Sequence, residues 1–275
     1  MDSFTKIKAL IIDMDGVLWH GDQPLPGLSE FFQAIRDKKL PFILATNNAR
    51  LTPDEYITKL KNMGVSVASH EILTSGMATA FYLAQHYNPV STKIFVIGEN
   101  GARQPLIDQG FSLIDTYQFN DNDKPLEAAD LVVCGLDKEL SWEKLSTATI
   151  NIRAGAKLIG TNGDTTLPSE LGLVLGNGAI LAALTAATNV QPTIVGKPEP
   201  IMYQQAVTLL GSKPSETIAI GDRLDTDILG AVRTNIRSIM VLTGVSSKQD
   251  LQHIDYKPTW IMPDIREITR TLINS

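Results

Sequence analysis

Two aspartates separated by one methionine, Asp13 and Asp15, close a short apolar run in ALIIDMDGVLW, Ala9 to Trp19. Strand side chains alternate, so these carboxylates converge on one spot if the strand geometry persists through Asp15. Two carboxylates that close repel unless a cation lies between them. Gly16 then allows a sharp turn, which suits a strand that stops and opens onto a site. A second acidic cluster, GDRLDTD (Gly221 to Asp227), follows the apolar run ETIAIG, and Asp222 stands after that run as Asp13 does after the first. If both runs are central parallel strands, their terminal carboxylates share one crevice, where a hard, oxygen-preferring divalent ion such as Mg²⁺ resolves the repulsion. The acids of GDRLDTD also suit helix N-cap and first-turn positions, the better reading for Asp225.

Three further stretches carry polar groups at predicted strand ends. Thr46, Asn47 and Asn48 follow the run PFILA; a hydroxyl and two amides there offer neutral donors to an anion, or serve as an ordinary turn or helix cap. Lys197, between Gly196 and Pro198, is held short of a helix, and its ammonium can reach a phosphate or a carboxylate; a solvated surface lysine is the plain alternative. The segment TNGD, Thr161 to Asp164, reads either as a turn after the KLIG run or as a site segment that helps select a leaving group. His20, His70, His86 and His253 lie in unrelated contexts, and Trp19 reads as packing for the loop after Asp15.

The elements that must position these groups alternate between short apolar strands and amphipathic helices, which indicates an α/β fold with a doubly wound parallel sheet. Leu28, Phe31, Phe32 and Ile35 recur at helical spacing between the first strand and PFILA, forming a strand, crossover helix, strand unit. From about Gly76 the pattern restarts, with strands expected at KIFVIG, DLVVCG and KLIG. The strands that end in chemistry lie in the first quarter and the last third, so the middle looks inserted. The expected division is a core of residues 1–76 and 191–275 around an inserted α/β domain of 77–190.

With 275 residues and a net charge of −6, the chain is an ordinary globular sequence without a Lys/Arg block, which argues against a nucleic-acid surface. The single cysteine, Cys134, excludes an internal disulfide and reads as a small buried residue. The amino-terminal apolar run is cut short by Asp13 and Asp15, so neither a signal peptide nor a membrane span is expected, and the expected location is cytoplasmic.

DMDGVLW, TNN, the lysine of GKPEP and GDRLDTD, in that order, resemble the four motifs of the haloacid dehalogenase superfamily. The likeness covers essentially the whole chain. TNGDTTLPSELGLVLGNGAILAAL is similar to a cap segment of the subgroup with the larger α/β cap, that of NagD and the 4-nitrophenyl, phosphoglycolate and pyridoxal phosphatases. The resemblance implies a phosphatase of a small phosphorylated metabolite. Asp13 would attack phosphorus to form an aspartyl-phosphate, and Asp15 would protonate the leaving oxygen and then activate water. Mg²⁺ would be held by Asp13, the Asp15 backbone carbonyl and Asp222, with Asp227 behind it or behind Lys197. Thr46, with Asn47 and Asn48, would bind phosphoryl oxygens, Lys197 would neutralise charge beside the nucleophile, and Asp164 would reach the substrate from the cap. The cap would close over the crevice, and a homodimer through the cap is also implied. Asp15 argues against dehalogenation, because a halide needs no proton. A phosphomutase would use the same core with a different cap, and a receiver-like phospho-acceptor would lack both Asp15 and the insertion.

Overall fold

Leu10, Ile11 and Ile12 belong to β1 (Ala9–Ile12), which is buried at every position, as expected of a parallel strand covered on both faces. In this computed structural model, residues 4–119, 127–169 and 171–274 are described. The expected loop after β1 contains a small antiparallel hairpin, β2 (Trp19–His20) and β3 (Gln23–Pro24). Helix α1 (Leu28–Asp37) buries Leu28, Phe31, Phe32 and Ile35, the residues at helical spacing, and leads into β4 (Phe42–Thr46). Helix α2 (Pro53–Asn62) and β5 (Ile72–Thr74) follow.

The chain then builds a second sheet. Its elements are α3 (Ser75–His86), β6 (Lys93–Ile97), α4 (Asn100–Asp108), β7 (Ser112–Ile114), β8 (Leu131–Cys134), α5 (Trp142–Arg153) and β9 (Lys157–Gly160). An antiparallel hairpin, β10 (Thr166–Ser169) and β11 (Gly172–Leu175), α6 (Asn177–Thr188) and β12 (Thr193–Ile194) complete it. The sheet order is β12-β9-β8-β6-β7, all pairs parallel. Its core gathers Phe95, Ile97, Val132, Cys134, Leu158, Ile180 and Leu184.

On its return the chain forms α7 (Pro200–Leu209), β13 (Thr217–Gly221), α8 (Leu229–Arg233), β14 (Arg237–Val241), β15 (Trp260–Met262) and α9 (Ile265–Ile273). Asp264 caps α9 by accepting from the Arg266 amide at 2.8 Å. The six-stranded sheet has the order β15-β14-β13-β1-β4-β5. From β1 the chain winds outward to β4 and β5, and from β13 it winds the other way to β14 and β15. The adjacent strands β1 and β13 therefore mark the switch point where doubly wound sheets bind ligands.

Packing divides the chain into one unit of Met1–Thr46, Pro53–Leu73 and Lys197–Ser275 and another of Asn47–Thr52 and Thr74–Gly196. The expected boundary at residue 190 differs from the observed one at Gly196, because β12 pairs with β9 of the second sheet. Asn47–Thr52 also goes with the second unit, where the Arg50 guanidinium meets Glu99 at 2.9 Å and the Arg50 carbonyl accepts from the Gly101 amide. Among the described residues, no helix is long and apolar enough to cross a membrane.

Candidate active site

In the β1–β13 pair Ile12 lies opposite Ile220, and the Asp13 amide donates to the Ile220 carbonyl at 2.8 Å. Asp13 and Asp222 thus leave neighbouring parallel strands at the same edge. Lys197 enters this edge buried, with its Nζ donating to Asp13 Oδ1 at 2.5 Å, Asp227 Oδ1 at 2.6 Å and the Ala45 carbonyl at 2.9 Å. The surface-lysine reading is excluded by its 3% side-chain exposure. Burial disfavours the ammonium, but Asp13 and Asp227 outweigh it and hold Lys197 protonated, well above the ordinary lysine range.

The carboxylates remain in excess. Burial pushes the Asp13 carboxyl well above the usual range; Lys197 opposes that rise while Asp227 and Asp222 add to it. Asp222 is pushed up to about 7, by burial first and then by Asp227, against the lowering hydrogen bond from the Val245 amide. Asp13, Asp222 and Asp227 each present a carboxylate oxygen within 4.8 Å of the others. Three carboxylates facing one ammonium leave surplus negative charge, and Asp222 Oδ1 is buried without a hydrogen-bond partner among the described residues. An orphaned carboxylate oxygen in an all-oxygen acidic cluster fits a hard divalent cation. Asp227 is already engaged by Lys197 and, through Oδ2, by the Arg223 amide at 3.1 Å.

The backbone shapes this cradle. A Cβ on Gly16, whose φ is +80°, would lie 2.6 Å from Asp222 Oδ2, and one on Gly244 would lie 1.9 Å from the same oxygen. Both positions exclude side chains so that the Asp222 carboxylate can seat against main chain. The loop after β14 completes the wall. Val245 donates its amide to Asp222 Oδ2 at 2.7 Å, the Ser246 amide donates to the Asp222 carbonyl at 3.2 Å, and Thr243 Oγ1 donates to the Gly16 carbonyl at 2.6 Å. Sequence reasoning missed this TGVSS loop. Its signal was a Gly/Ser turn directly after an apolar strand, the same context that drew attention to the aspartates. It also missed Tyr203, whose hydroxyl donates to the Asp227 carbonyl at 2.8 Å.

Asp15 does not join the cluster. Strand geometry ends at Ile12, the chain turns, and Asp15 is exposed, so the period-two convergence with Asp13 is not realised. Its Oδ1 instead accepts from Trp19 Nε1 at 2.8 Å. Thr46 is buried at the end of β4. In the second unit, Asn47 donates from Nδ2 to Asp164 Oδ2 at 3.2 Å, and its carbonyl accepts from Ser75 Oγ and Asn162 Nδ2. Asn48 Oδ1 accepts from the Arg50 amide at 2.9 Å, the turn reading of TNNAR. The acid assigned to a helix cap, Asp225, is exposed and paired with the Arg223 side chain, and the residues Leu224–Ile228 form a π-helical turn.

The family model of haloacid dehalogenase-like hydrolases matches residues 10–112, and a second model of that hydrolase type matches 194–268. An acid sugar phosphatase from Staphylococcus saprophyticus is 36% identical over 96% of this chain and 98% of its own length. The chain belongs to the haloacid dehalogenase-like hydrolases. Among solved structures, a 4-nitrophenylphosphatase from Thermotoga maritima is 33% identical with a TM-score of 0.88, covering 97% of this chain and 98% of that one. NagD from E. coli K-12 is 32% identical with a TM-score of 0.84, covering 95% and 98%. Within the family this hydrolase is NagD-like, and it is a phosphoric monoester hydrolase of small substrates.

Proposed function

We propose that this hydrolase cleaves a small phosphomonoester, a sugar phosphate in the first instance, through an aspartyl-phosphate on Asp13 with Mg²⁺ bound. The observation that carries the reading is the edge where Lys197 links Asp13 to Asp227 while Asp222 keeps an oxygen that has no partner among the described residues. Asp13 and Asp222, with the Asp15 carbonyl, would hold the ion; when bound it supplies the positive charge that offsets the phosphoryl oxygens and keeps Asp13 ionised. Asp227 supports this arrangement by fixing Lys197.

In the first half-reaction an Asp13 carboxylate oxygen bonds to phosphorus and the phosphorus–oxygen bond to the leaving group breaks. The leaving oxygen takes a proton from Asp15. In the second, Asp15 accepts a proton from water, the hydroxide oxygen bonds to phosphorus, and Asp13 is released with inorganic phosphate. Lys197 stays protonated and neutralises charge at the nucleophile, while Thr46, with Asn47 and Asn48, receives phosphoryl oxygens. The first unit serves as catalytic core and the second as cap, in which Asp164 contributes to leaving-group selection. The sugar phosphate assignment is supported by the name of the staphylococcal relative. A cytoplasmic location fits the lone cysteine, whose thiol is buried; a homodimer through the cap belongs to the same proposal.

The test is Asp13→Asn. With Mg²⁺ present, phosphate release from 4-nitrophenyl phosphate and from a sugar phosphate panel falls at least about a thousandfold while the circular dichroism spectrum and melting curve persist. Substantial residual turnover by a folded D13N protein removes Asp13 as nucleophile.

A further inference from the structure

Trp19 is fully buried, and its one polar atom is used on the exposed carboxylate of the catalytic loop, Asp15 Oδ1, at 2.8 Å. The loop geometry makes this contact. The Val17 and Leu18 amides both donate to the Met14 carbonyl, and the Gly16 amide donates to the Trp19 carbonyl at 2.8 Å, which folds residue 19 back beside residue 15. Helix α2 then pins the ring. Tyr56 stacks on it with centroids 6.4 Å apart at 25°, and Lys59 Nζ lies 4.9 Å from its centroid while donating to the Gly21 carbonyl at 2.7 Å. Tyr56 and Trp19 are both buried, so the indole N–H is a rigid donor on a packed ring, whereas Asp15 is exposed between the buried residues Met14 and Gly16.

An indole nitrogen only donates. The Asp15 oxygen it holds is engaged as an acceptor, which leaves the other oxygen free to exchange a proton. Asp15 Oδ2 has no hydrogen-bond partner among the described residues. We propose that Trp19 is a positioning residue that holds Asp15 by Oδ1, so that Oδ2 is the oxygen that delivers the proton to the leaving group and later takes one from water. This rests on the reading of Asp15 as general acid and base. It assigns the task to one oxygen and traces its placement through Trp19 to Tyr56 and Lys59, a function beyond the loop packing that Trp19's sequence context suggested.

Leaving groups separate this role from a merely structural one. A 4-nitrophenolate departs without a proton, whereas the alkoxide of a sugar phosphate does not, and kcat/KM reports the transfer to Asp13 in which that proton moves. Trp19→Phe keeps an aromatic ring between Tyr56 and Lys59 and removes the donor together with part of the indole's volume. W19F is expected to lower kcat/KM for the sugar phosphate about ten- to a hundredfold more than for 4-nitrophenyl phosphate, with KM nearly unchanged, and W19H, which keeps a ring N–H, recovers part of the loss. Asp15→Asn shows the same selectivity in larger measure. If D15N is selective and W19F depresses both substrates equally, the positioning role is overturned; if D15N itself is unselective, the general-acid reading fails instead. A second measurement needs no change at Trp19. The chain has three tryptophans, and in a ¹H–¹⁵N spectrum one indole cross-peak moves on D15N substitution; three unmoved peaks overturn the contact.

Discussion

The two units each bury a polar cluster at a strand edge, and the clusters are opposite in character. In the first, Asp13, Asp222, Asp227 and Lys197 are charged, the acids outnumber the base, and Asp222 Oδ1 is left over. In the second, the groups are chiefly amides that satisfy one another. Asn177 donates from Nδ2 to the Cys134 and Asn162 carbonyls at 2.9 and 2.8 Å, its Oδ1 accepts from Cys134 Sγ, and Asn162 passes the chain on to the Asn47 carbonyl. The Asp164 amide closes onto Asn162 Oδ1 at 3.2 Å. A closed neutral network rigidifies the backbone that carries it, whereas an open charged one is unfavourable until something positive enters. The comparison sets a cluster with charge left over against one whose amides satisfy one another.

Breaking the charged cluster should have the largest effect. Lys197→Met leaves Asp13 and Asp227 buried without their cation, which destabilises by about 3–5 kcal/mol if they stay ionised; phosphate release is expected to fall below detection, and urea unfolding of the metal-free protein measures the stability loss. Next comes the pH dependence of the metal-free protein. Because the Asp222 carboxyl is raised from 3.8 to about 7, the folded state binds a proton that the unfolded state has lost, so the contribution of this group to stability is largest below pH 4, falls as pH rises through 7, and is flat above that. A bound cation replaces the proton. Mg²⁺ is therefore expected to raise the melting temperature more at pH 8 than at pH 5, and Asp222→Asn removes most of that difference; equal Mg²⁺ shifts at both pH values contradict the metal assignment. The neutral network gives the smallest effect. Asn177→Leu orphans two buried carbonyls at about 1–3 kcal/mol, read as a lower melting temperature. If the contrast between the clusters holds, kcat on 4-nitrophenyl phosphate well below that melting point is nearly unchanged.

Much of this was legible in the chain because the informative residues sit at strand ends. The four-residue apolar run of β1 and the run before Asp222 identified central strands, and the strand, helix, strand order implied a parallel sheet. Lys197 was legible only in company with the acids, since a lone lysine reads as a surface residue. Trp19 was placed correctly as loop packing, but its hydrogen bond to Asp15 depends on a turn whose course no periodicity describes. The hairpins β2–β3 and β10–β11 escaped notice because they are too short for alternation to register, and the TGVSS loop escaped because its amides, not its side chains, contact Asp222.

Residue types and their order along the chain sufficed to determine a parallel α/β core, an inserted unit and a set of acids with one lysine at strand ends, because apolar patterning and turn residues act locally. Tertiary structure decided which of those groups meet. Lys197 reaches Asp13 across 184 residues of sequence, while Asp15, two residues from Asp13, stays outside the acidic cluster and is held by an indole. The reason is physical: side-chain alternation lasts only as long as the strand, and past Ile12 the packing of the loop, not the spacing of the residues, sets where each carboxylate points.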